Sequence, residues 1–284
     1  MFKKAKVELF VKRDDLEHLL YGGNKFRKLK YNLEFIKQHR VKTVLTFGGA
    51  FSNHIAAMAY AGNKFGFKTI GIIRGDELKN NNTAAFQLNK TLREAQDNGM
   101  FLCFVNRENY KRKYDIDYGD ELKKEFGELL IIPEGGSNEL ALKGCNEIVS
   151  EIENDFNYII TPVGTGTTLI GIAQSLKQNQ KAIGIEVYKN KLPTIDQLEF
   201  FKHHKVSIDL NKIILKNYAF SGYGKSTKEL TAFCESFKND YHIPVEPVYT
   251  GKMFFGLFDL VKQGFFEKGS VIIALHTGGL QYID

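Results

Sequence analysis

Short apolar runs alternate along the chain with longer stretches in which apolar residues recur every three or four positions. The short runs have the length and β-branched content of strands, and the longer stretches have helical spacing. The predicted strands lie at residues 7–12, 43–47, 68–73, 100–105, 158–161, 181–187 and 271–276. The predicted helices lie at about residues 25–39, 56–61, 83–98 and 168–178. This alternation predicts right-handed crossovers and mostly parallel sheets covered by helices.

Two regions stand out from this alternation. The run Val271–His276 is almost wholly apolar, which predicts a central strand buried on both faces. The stretch after Val187 is polar and has few hydrophobic anchors, so no element is predicted there. No repeat or proline-rich linker separates the halves of the chain. The Pro-Glu-Gly-Gly turn at residues 133–136 predicts a domain boundary near residues 129–135.

Composition narrows the class of protein. A chain of 284 residues with 43% hydrophobic and 25% charged residues is typical of a globular protein of one large or two smaller domains. The net charge of +6 is spread over the chain, which favours a solvated surface and anionic substrates over nucleic acid. Three distant cysteines form no CxxC pair and argue against disulfides or zinc. With no secretory signal or membrane-spanning run, the sequence predicts a cytoplasmic protein without a membrane partner.

One lysine follows a glycine pair at the start of a predicted helix, in the run YGGNKFRKL from Tyr21 to Leu29. A lysine in this position can reach into a cleft and form a reversible imine with an aldehyde cofactor. The alternative is that Lys25 belongs to a solvated cationic face with Arg27 and Lys28. For a single lysine considered alone, that alternative is the better one.

Two glycine-containing loops supply what such a cofactor would also need. The run Gly164–Thr168 follows a strand and opens a helix. Its glycines let the backbone approach a ligand closely, its threonine hydroxyls can donate hydrogen bonds, and the helix N-terminus favours an anion such as a phosphate. It lacks the Walker lysine and the third glycine of GxGxxG, so a tight turn with capping threonines explains it equally well. The run Gly48–His54 has two interpretations. Ser52 and Asn53 are residue types that commonly cap helix N-termini, or they project together with His54 into a ligand-binding cleft. The co-occurrence of the three motifs favours a pyridoxal phosphate enzyme.

In combination the motifs resemble the D-cysteine desulfhydrase and 1-aminocyclopropane-1-carboxylate deaminase family of fold type II pyridoxal phosphate enzymes. The resemblance covers nearly the whole chain, through Arg13–Asp15, Gly22–Leu29, Ser52–His54, Glu134–Ser137, Pro162–Thr168, Gly222–Gly224, Pro247–Lys252 and His276–Gly279. It implies an α/β protein of two domains, each an open, mostly parallel twisted sheet flanked by helices, with pyridoxal 5′-phosphate in the cleft between them. The larger domain is expected to comprise residues 1–30 and 131–284, and the smaller domain residues 31–130.

The resemblance also implies roles for individual residues. Lys25 would form the imine and shuttle protons, Asn53 would hydrogen-bond the phenolic oxygen of the cofactor, and Ser52 would transfer a proton or orient the substrate. His54 would join Ser52 and Asn53 in binding the substrate. The residues expected to hold the phosphate are Gly164, Thr165, Gly166, Thr167 and Thr168. Those expected around the reacting centre are Tyr223 and Tyr249, and those around the pyridine nitrogen are Thr250 and Thr277.

One position discriminates within the family. The deaminase branch is expected to carry glutamate where this chain has Thr250, and leucine where it has Thr277. A carboxylate would keep the pyridine nitrogen protonated and deepen the electron sink that ring opening demands. We therefore favour β-elimination from D-cysteine to pyruvate, sulfide and ammonia. The alternative is deamination of 1-aminocyclopropane-1-carboxylate to 2-oxobutanoate and ammonia.

Further alternatives stay open. Phe51 replaces a common glutamine and Ile55–Ala57 replaces a segment that usually carries arginine, so another D- or L-amino acid with a β-leaving group is an alternative substrate. A nucleotide-binding protein that uses the Gly164 loop is disfavoured, because no GxGxxG follows the first strand. A non-catalytic ligand-binding α/β protein would bind the cofactor without turnover. The resemblance implies a homodimer that acts on a small amino acid.

Overall fold

A computed structural model describes residues 1–16, 22–79, 87, 89–188, 201 and 206–279 of the chain. The chain divides into two compact units. The first comprises Met1–Arg27 and Leu142–Asp284, and the second comprises Lys28–Ala141. Each unit is built around its own sheet.

The first unit contains a five-stranded sheet in the order β1-β9-β6-β7-β8. All neighbouring strands run parallel. The strands are β1 (Glu8–Arg13), β6 (Tyr158–Val163), β7 (Lys181–Glu186), β8 (Ile213–Asn217) and β9 (Val271–His276). Because the first and last strands of the chain pair directly, the N-terminal segment belongs to the same unit as the C-terminal half.

The second unit contains a four-stranded parallel sheet in the order β4-β3-β2-β5. Its strands are β2 (Thr43–Gly49), β3 (Lys68–Arg74), β4 (Phe101–Val105) and β5 (Leu130–Ile132). Ten α-helices lie within the described residues of the two units. They are α1 (Phe2–Ala5), α2 (Asn24–Gln38), α3 (Asn53–Phe65), α4 (Lys90–Asp97), α5 (Arg107–Lys111), α6 (Ile116–Phe126), α7 (Glu139–Ser150), α8 (Thr167–Ser175), α9 (Lys228–Tyr241) and α10 (Thr250–Lys262).

Alternate residues of the strands in the first unit pack on opposite faces of its sheet. Ile160, Ile183 and Ile272 share one cluster with apolar residues of α9 and α10. Ile159 and Ile273 share another cluster with apolar residues of α7 and α8. The sheet is therefore covered on both faces, as parallel sheets require, and the predicted α/β fold is confirmed.

The last strand has the place that its composition predicts. The run Val271–His276 forms β9 between β1 and β6, and its residues from Ile272 to His276 are buried. Two strands were missed. β5 has only three residues, which is shorter than the runs that predict a strand, and β8 is an edge strand in which no residue is fully buried.

The helix predicted at 168–178 begins one residue earlier and ends at Ser175. The side chain of Gln180 accepts a hydrogen bond from the backbone N–H of Lys177 at 2.9 Å and donates one to the Phe156 carbonyl at 3.2 Å. These bonds fold the chain back toward the sheet and replace the next helical turn. Of the helix predicted at 83–98, residues 83–86 and 88 lie outside the described residues, and the described part contains α4. Across the described ranges, no helix combines the length and apolarity that crossing a bilayer requires.

Helices α2 and α7 approach each other through a glycine in the first unit. A Cβ atom placed on Gly144 would lie 1.9 Å from the carbonyl oxygen of Arg27. Gly119 in α6 is different, because the nearest atom to its added Cβ would be Ile131 Cδ1 at an ordinary 3.5 Å. Comparing alanine substitutions at Gly144 and Gly119 therefore distinguishes the effect of close packing from the effect of helix propensity.

We expect Gly144→Ala to lower the free energy of unfolding by about 1–3 kcal/mol or more, because the methyl group overlaps backbone atoms. Gly119→Ala should instead raise it by roughly 0.5–1 kcal/mol, because alanine is the better helix former. Urea unfolding of the two variants measures both effects. A neutral or stabilising Gly144→Ala would show that the two helices can move apart at no cost.

Candidate cofactor and substrate site

The start of α2 packs against the backbone at Thr277. Gly23 adopts a φ of 65°, and a Cβ atom there would lie 2.0 Å from the Thr277 carbonyl oxygen. The Gly23 N–H donates to the Asp14 carbonyl at 2.8 Å, and the next N–H, of Asn24, donates to the Thr277 carbonyl at 3.2 Å. Only glycine fits this left-handed, backbone-to-backbone contact. The contact fixes where Lys25 begins its first helical turn.

A line of hydrogen bonds connects Lys25 to the loop after β6. The Lys25 ammonium donates to Asn24 Oδ1 at 2.8 Å, and Asn24 Nδ2 donates to Thr168 Oγ1 at 3.2 Å. Thr168 lies in the first turn of α8. The predicted lysine and the predicted phosphate loop are therefore joined within one unit through a single asparagine side chain.

The loop before α8 has the features of an anion cradle. Gly166 is the N-cap residue with a left-handed φ of 90°, and no acidic residue occupies the first turn. Thr167 and Thr168 are buried, and the hydroxyls of Thr165 and Thr167 lie 3.5 Å apart. Helix N-termini leave backbone N–H groups that favour negative charge. An amine, threonine hydroxyls and a helix N-terminus together fit a cofactor that carries an aldehyde and a phosphate.

Three tyrosines form a cluster in the same unit. The rings of Tyr188 and Tyr223 stack with centroids 4.9 Å apart and planes 4° apart, and Tyr223 meets Tyr249 edge-on at 5.8 Å. The Tyr249 hydroxyl donates to the Tyr223 oxygen at 3.0 Å. Burial, with the neighbouring Tyr223 and Tyr188, raises the pKa of Tyr249 above its usual value, so Tyr249 keeps its proton at neutral pH. A Cβ atom on Gly164 would lie 3.3 Å from the Tyr249 ring, so Tyr249 covers the first residue of the Gly164 loop.

A buried carboxylate holds the segment that carries Tyr249 and Thr250. Glu246 Oε1 accepts the N–H groups of Tyr249 and Thr250 at 2.8 Å each, and Oε2 accepts that of Val248 at 2.6 Å. The Thr250 hydroxyl accepts the Glu246 N–H at 3.0 Å and donates to Oε1 at 3.3 Å. Burial raises the pKa of Glu246 to about 7, and the hydrogen bonds oppose this shift. This reciprocal cap fixes the start of α10.

A network of charges anchors the first turn of α2 to β1. Arg27 donates to Asp14 through Nη2 at 3.1 Å and Nε at 3.2 Å, and Lys12 lies 3.0 Å from the same carboxylate. Arg27 also pairs with Glu151, with Nη2 to Oε2 at 2.6 Å. Burial would raise the pKa of Glu151, but hydrogen bonds from Arg27 and Lys12 outweigh it and lower the pKa to about 2. The network holds the helix two residues beyond Lys25.

Hydrogen bonds of a buried histidine ring hold the end of β9. The Nε2 atom of buried His276 lies 2.7 Å from the Pro244 carbonyl, which can only accept, so His276 carries a proton on Nε2. The Gly278 N–H donates to the other ring nitrogen at 3.3 Å. These bonds shape the turn that presents Thr277, which is 6% exposed.

The Ser52–His54 motif lies in the second unit, at the start of α3. Ser52 occupies the N-cap position, but its side chain makes no capping hydrogen bond, so the capping alternative does not account for its hydroxyl. Asn53 is buried. His54 Nε2 lies 2.8 Å from the Thr46 hydroxyl, which donates its own hydrogen to the Ile132 carbonyl at 2.8 Å. His54 therefore donates from Nε2, and its role in substrate binding stays a prediction.

The site residues predicted from sequence thus fall into two groups. The first unit contains Lys25, Gly164, Thr165, Gly166, Thr167, Thr168, Tyr223, Tyr249, Thr250 and Thr277. The second unit contains Ser52, Asn53 and His54. Sequence reasoning missed Asn24, Tyr188 and Glu246. A signal existed for Tyr188, which follows the carboxyl end of a parallel strand, and for Asn24, which lies inside the lysine motif.

Comparison with known proteins gives three informative matches. The family model described as "Pyridoxal-phosphate dependent enzyme" matches residues 1–278. A protein of Pyrococcus furiosus named "Putative 1-aminocyclopropane-1-carboxylate deaminase" is 31% identical over 98% of this chain and 86% of its own length. A mitochondrial Arabidopsis thaliana protein, named as a bifunctional D-cysteine desulfhydrase and 1-aminocyclopropane-1-carboxylate deaminase, is 29% identical over 96% of this chain and 73% of its own.

Among solved structures, one described as an "ACC deaminase homologue" superimposes with a TM-score of 0.81 at 28% identity. The match covers 99% of this chain and 87% of that one. The similarity therefore extends through both units rather than being confined to the lysine motif or to one sheet.

The contact between Gly23 and Thr277 can be tested against a matched glycine. Gly264 has a similar φ of 70° but no atom within 4 Å of an added Cβ. We expect Gly264→Ala to cost about 1–2 kcal/mol for the left-handed backbone alone. Gly23→Ala should cost clearly more, because its methyl group also collides with the Thr277 carbonyl. Equal losses in urea unfolding would contradict the proposed rigidity of this contact.

The charge network predicts a pH dependence of stability. The pKa of Glu151 falls from an ordinary 4.5 to about 2 on folding, so its stabilising contribution is complete above about 4.5 and is lost as the pH falls toward 2. Because the carboxylate is 40% exposed, we expect Glu151→Gln to cost only about 1 kcal/mol at neutral pH.

Urea unfolding of the wild type and Glu151→Gln between neutral and acid pH measures this difference, which should shrink below pH 4.5. Asp155→Asn is the control, because Asp155 is 96% exposed in its pair with Lys177. A difference that stays constant down to the lowest pH would contradict the role given to Glu151.

Proposed function

The chain belongs to the pyridoxal-phosphate-dependent enzyme family, as its motifs predicted, and we propose that it is a lyase that performs β-elimination on a small amino acid. Its cofactor is pyridoxal 5′-phosphate. The substrate that we favour is D-cysteine, which would yield pyruvate, sulfide and ammonia. The observation that carries the proposal is the line of hydrogen bonds from Lys25 through Asn24 to Thr168 at the start of α8.

This line would hold the two ends of the cofactor. Lys25 would attach the aldehyde, while Gly164, Thr165, Gly166, Thr167 and Thr168 would bind the phosphate. When bound, the cofactor supplies an electron sink that stabilises negative charge on the α-carbon of an amino acid. The Lys25 amine would also be the group that moves the α-proton of the substrate.

The remaining predicted residues would orient the substrate. Asn53 would hydrogen-bond the phenolic oxygen of the cofactor, and Ser52, whose hydroxyl makes no capping bond, would contact the substrate together with His54. Tyr249 stays protonated and donates to the Tyr223 oxygen, which turns the hydrogen of Tyr223 away from Tyr249. Tyr223 and Tyr249 would face the reacting centre.

The position of Thr250 supports elimination over ring opening. Its hydroxyl already donates to Glu246 Oε1 and accepts the Glu246 N–H. A hydroxyl has one hydrogen, so Thr250 could donate to the pyridine nitrogen only by giving up its bond to Glu246. Thr250 and Thr277 would therefore support a weaker electron sink than a carboxylate. That sink suffices for a substrate with an acidic α-hydrogen and a good β-leaving group.

The second candidate is deamination of 1-aminocyclopropane-1-carboxylate. Two observations favour it: the name of the Pyrococcus furiosus relative and the description of the similar solved structure. The two activities are distinguished by their products, because the deaminase releases 2-oxobutanoate without sulfide.

We expect purified protein carrying its cofactor to release pyruvate and sulfide from D-cysteine faster than it releases any keto acid from the rest of a panel. The panel contains 1-aminocyclopropane-1-carboxylate, L-cysteine and the D- and L-forms of serine and 3-chloroalanine. Keto acid and sulfide are measured separately. Release of 2-oxobutanoate as the main activity would instead support the second candidate.

Lys25→Ala is the control for the site itself, and Lys30→Ala is its matched partner on the same helix. Lys25→Ala should abolish borohydride trapping of the cofactor and lower turnover by several orders of magnitude, while Lys30→Ala should change neither. Normal trapping and turnover in Lys25→Ala would contradict the assignment of Lys25. A trapped cofactor without product from any amino acid would favour a non-catalytic binding protein.

A further inference from the structure

A lysine outside the proposed cofactor contacts is completely buried in the first unit. Lys252 is 0% exposed and lies in the first turn of α10. Its ammonium donates to the carbonyls of Gly222 at 2.8 Å and Ala219 at 3.1 Å, and more weakly to that of Val187 at 3.5 Å. The Lys252 ammonium is therefore hydrogen-bonded to backbone carbonyls of other segments of the chain.

These carbonyls lie beside the tyrosine cluster. Val187 immediately precedes Tyr188 at the carboxyl end of β7, and Gly222 immediately precedes Tyr223 in the segment after β8. The third ring, of Tyr249, is joined to Lys252 by its own segment, since α10 begins between them. One ammonium thus connects the three backbone segments that carry the three stacked or edge-on rings.

We propose that Lys252 is a positioning residue that holds Tyr188, Tyr223 and Tyr249 in their stacked and edge-on arrangement. The consequence for turnover rests on the proposed function, in which Tyr223 and Tyr249 face the reacting centre. The arrangement of the rings itself does not, because it is defined by the ring contacts and the hydroxyl hydrogen bond among the tyrosines alone.

The cost of burying this charge supports a specific role. An ammonium removed from water is destabilising unless it is paired or hydrogen-bonded, and a methionine of similar length would fill the same space without that cost. Burial lowers the pKa of Lys252 to about 8, and the charge of Glu246 opposes this shift. Packing alone therefore does not explain a lysine here, whereas its contacts with three separate carbonyls do.

The geometry also separates Lys252 from cofactor attachment. Its hydrogen bonds go to Val187, Ala219 and Gly222, and none of these residues belongs to the Lys25–Asn24–Thr168 line. Loss of the ammonium should therefore disturb the tyrosines while cofactor binding is largely retained. A misplacement of about 1 Å at a reacting centre lowers turnover on the order of 10²-fold.

The test compares Lys252→Met with Lys262→Met, an exposed lysine at the end of the same helix. The chain has no tryptophan, so near-ultraviolet circular dichroism of the cofactor-free protein reports its tyrosines directly. The contribution of the cluster is defined by the signal that Tyr188→Phe and Tyr223→Phe remove. We expect Lys252→Met to lose that same signal and Lys262→Met to keep it.

In the cofactor-loaded enzyme, Lys252→Met should lower kcat roughly 10²-fold with nearly unchanged cofactor affinity. Lys252→Gln keeps two N–H donors and should recover part of both the signal and kcat, and it carries the test if Lys252→Met does not fold. A Lys252→Met protein that keeps the tyrosine signal, or Met and Gln variants that are equally impaired, would overturn the proposal. The spectroscopic result stands even if no amino acid in the panel is turned over.

Discussion

The contact between the backbone of Gly23 and the carbonyl of Thr277 is the constraint on which the rest of the proposed site depends. It places the start of α2 against the turn after β9, where the first and last strands of the chain are already paired. The position of Lys25 follows from this contact, because the lysine is the second residue of α2. Backbone-to-backbone packing is suited to this purpose, since it leaves no side-chain rotamer free to move the helix.

Buried charges reinforce this arrangement instead of acting on a ligand directly. Arg27 ties the first turn of α2 to Asp14, the residue that follows β1, and Glu246 caps the segment that carries Tyr249 and Thr250. In each case a buried charged side chain makes several hydrogen bonds to another segment of the chain. The stabilisation from each pair is modest, but the geometry that it imposes is specific. The proposed chemistry therefore depends on polar contacts that position the residues that would touch the cofactor.

The sequence could predict the elements whose signals are local. The apolar run Val271–His276 is a central strand because both its faces are buried, and the Gly164 loop opens a helix because glycines and threonines suit that turn. The end of α8 was not predictable in the same way, since it depends on hydrogen bonds from Gln180. Tyr188 and Lys252 were missed because their partners are distant in sequence. Motifs identified the residues proposed to touch the cofactor, whereas the contacts that position them required the fold.

The hydrogen bonds between Thr250 and Glu246 also bear on which substrate the proposed site would accept. The Thr250 hydroxyl serves as part of the cap that Glu246 completes, so the residue that would lie near the pyridine nitrogen is also one that starts α10. A glutamate at this position could not make the same reciprocal cap, because an ionised carboxylate has no hydrogen to donate to Glu246 and would place a second negative charge beside it. The cap therefore favours a neutral side chain here, which in the proposed function would give a weaker electron sink. On this argument, substrate preference follows from how the helix begins as well as from which side chains face the substrate.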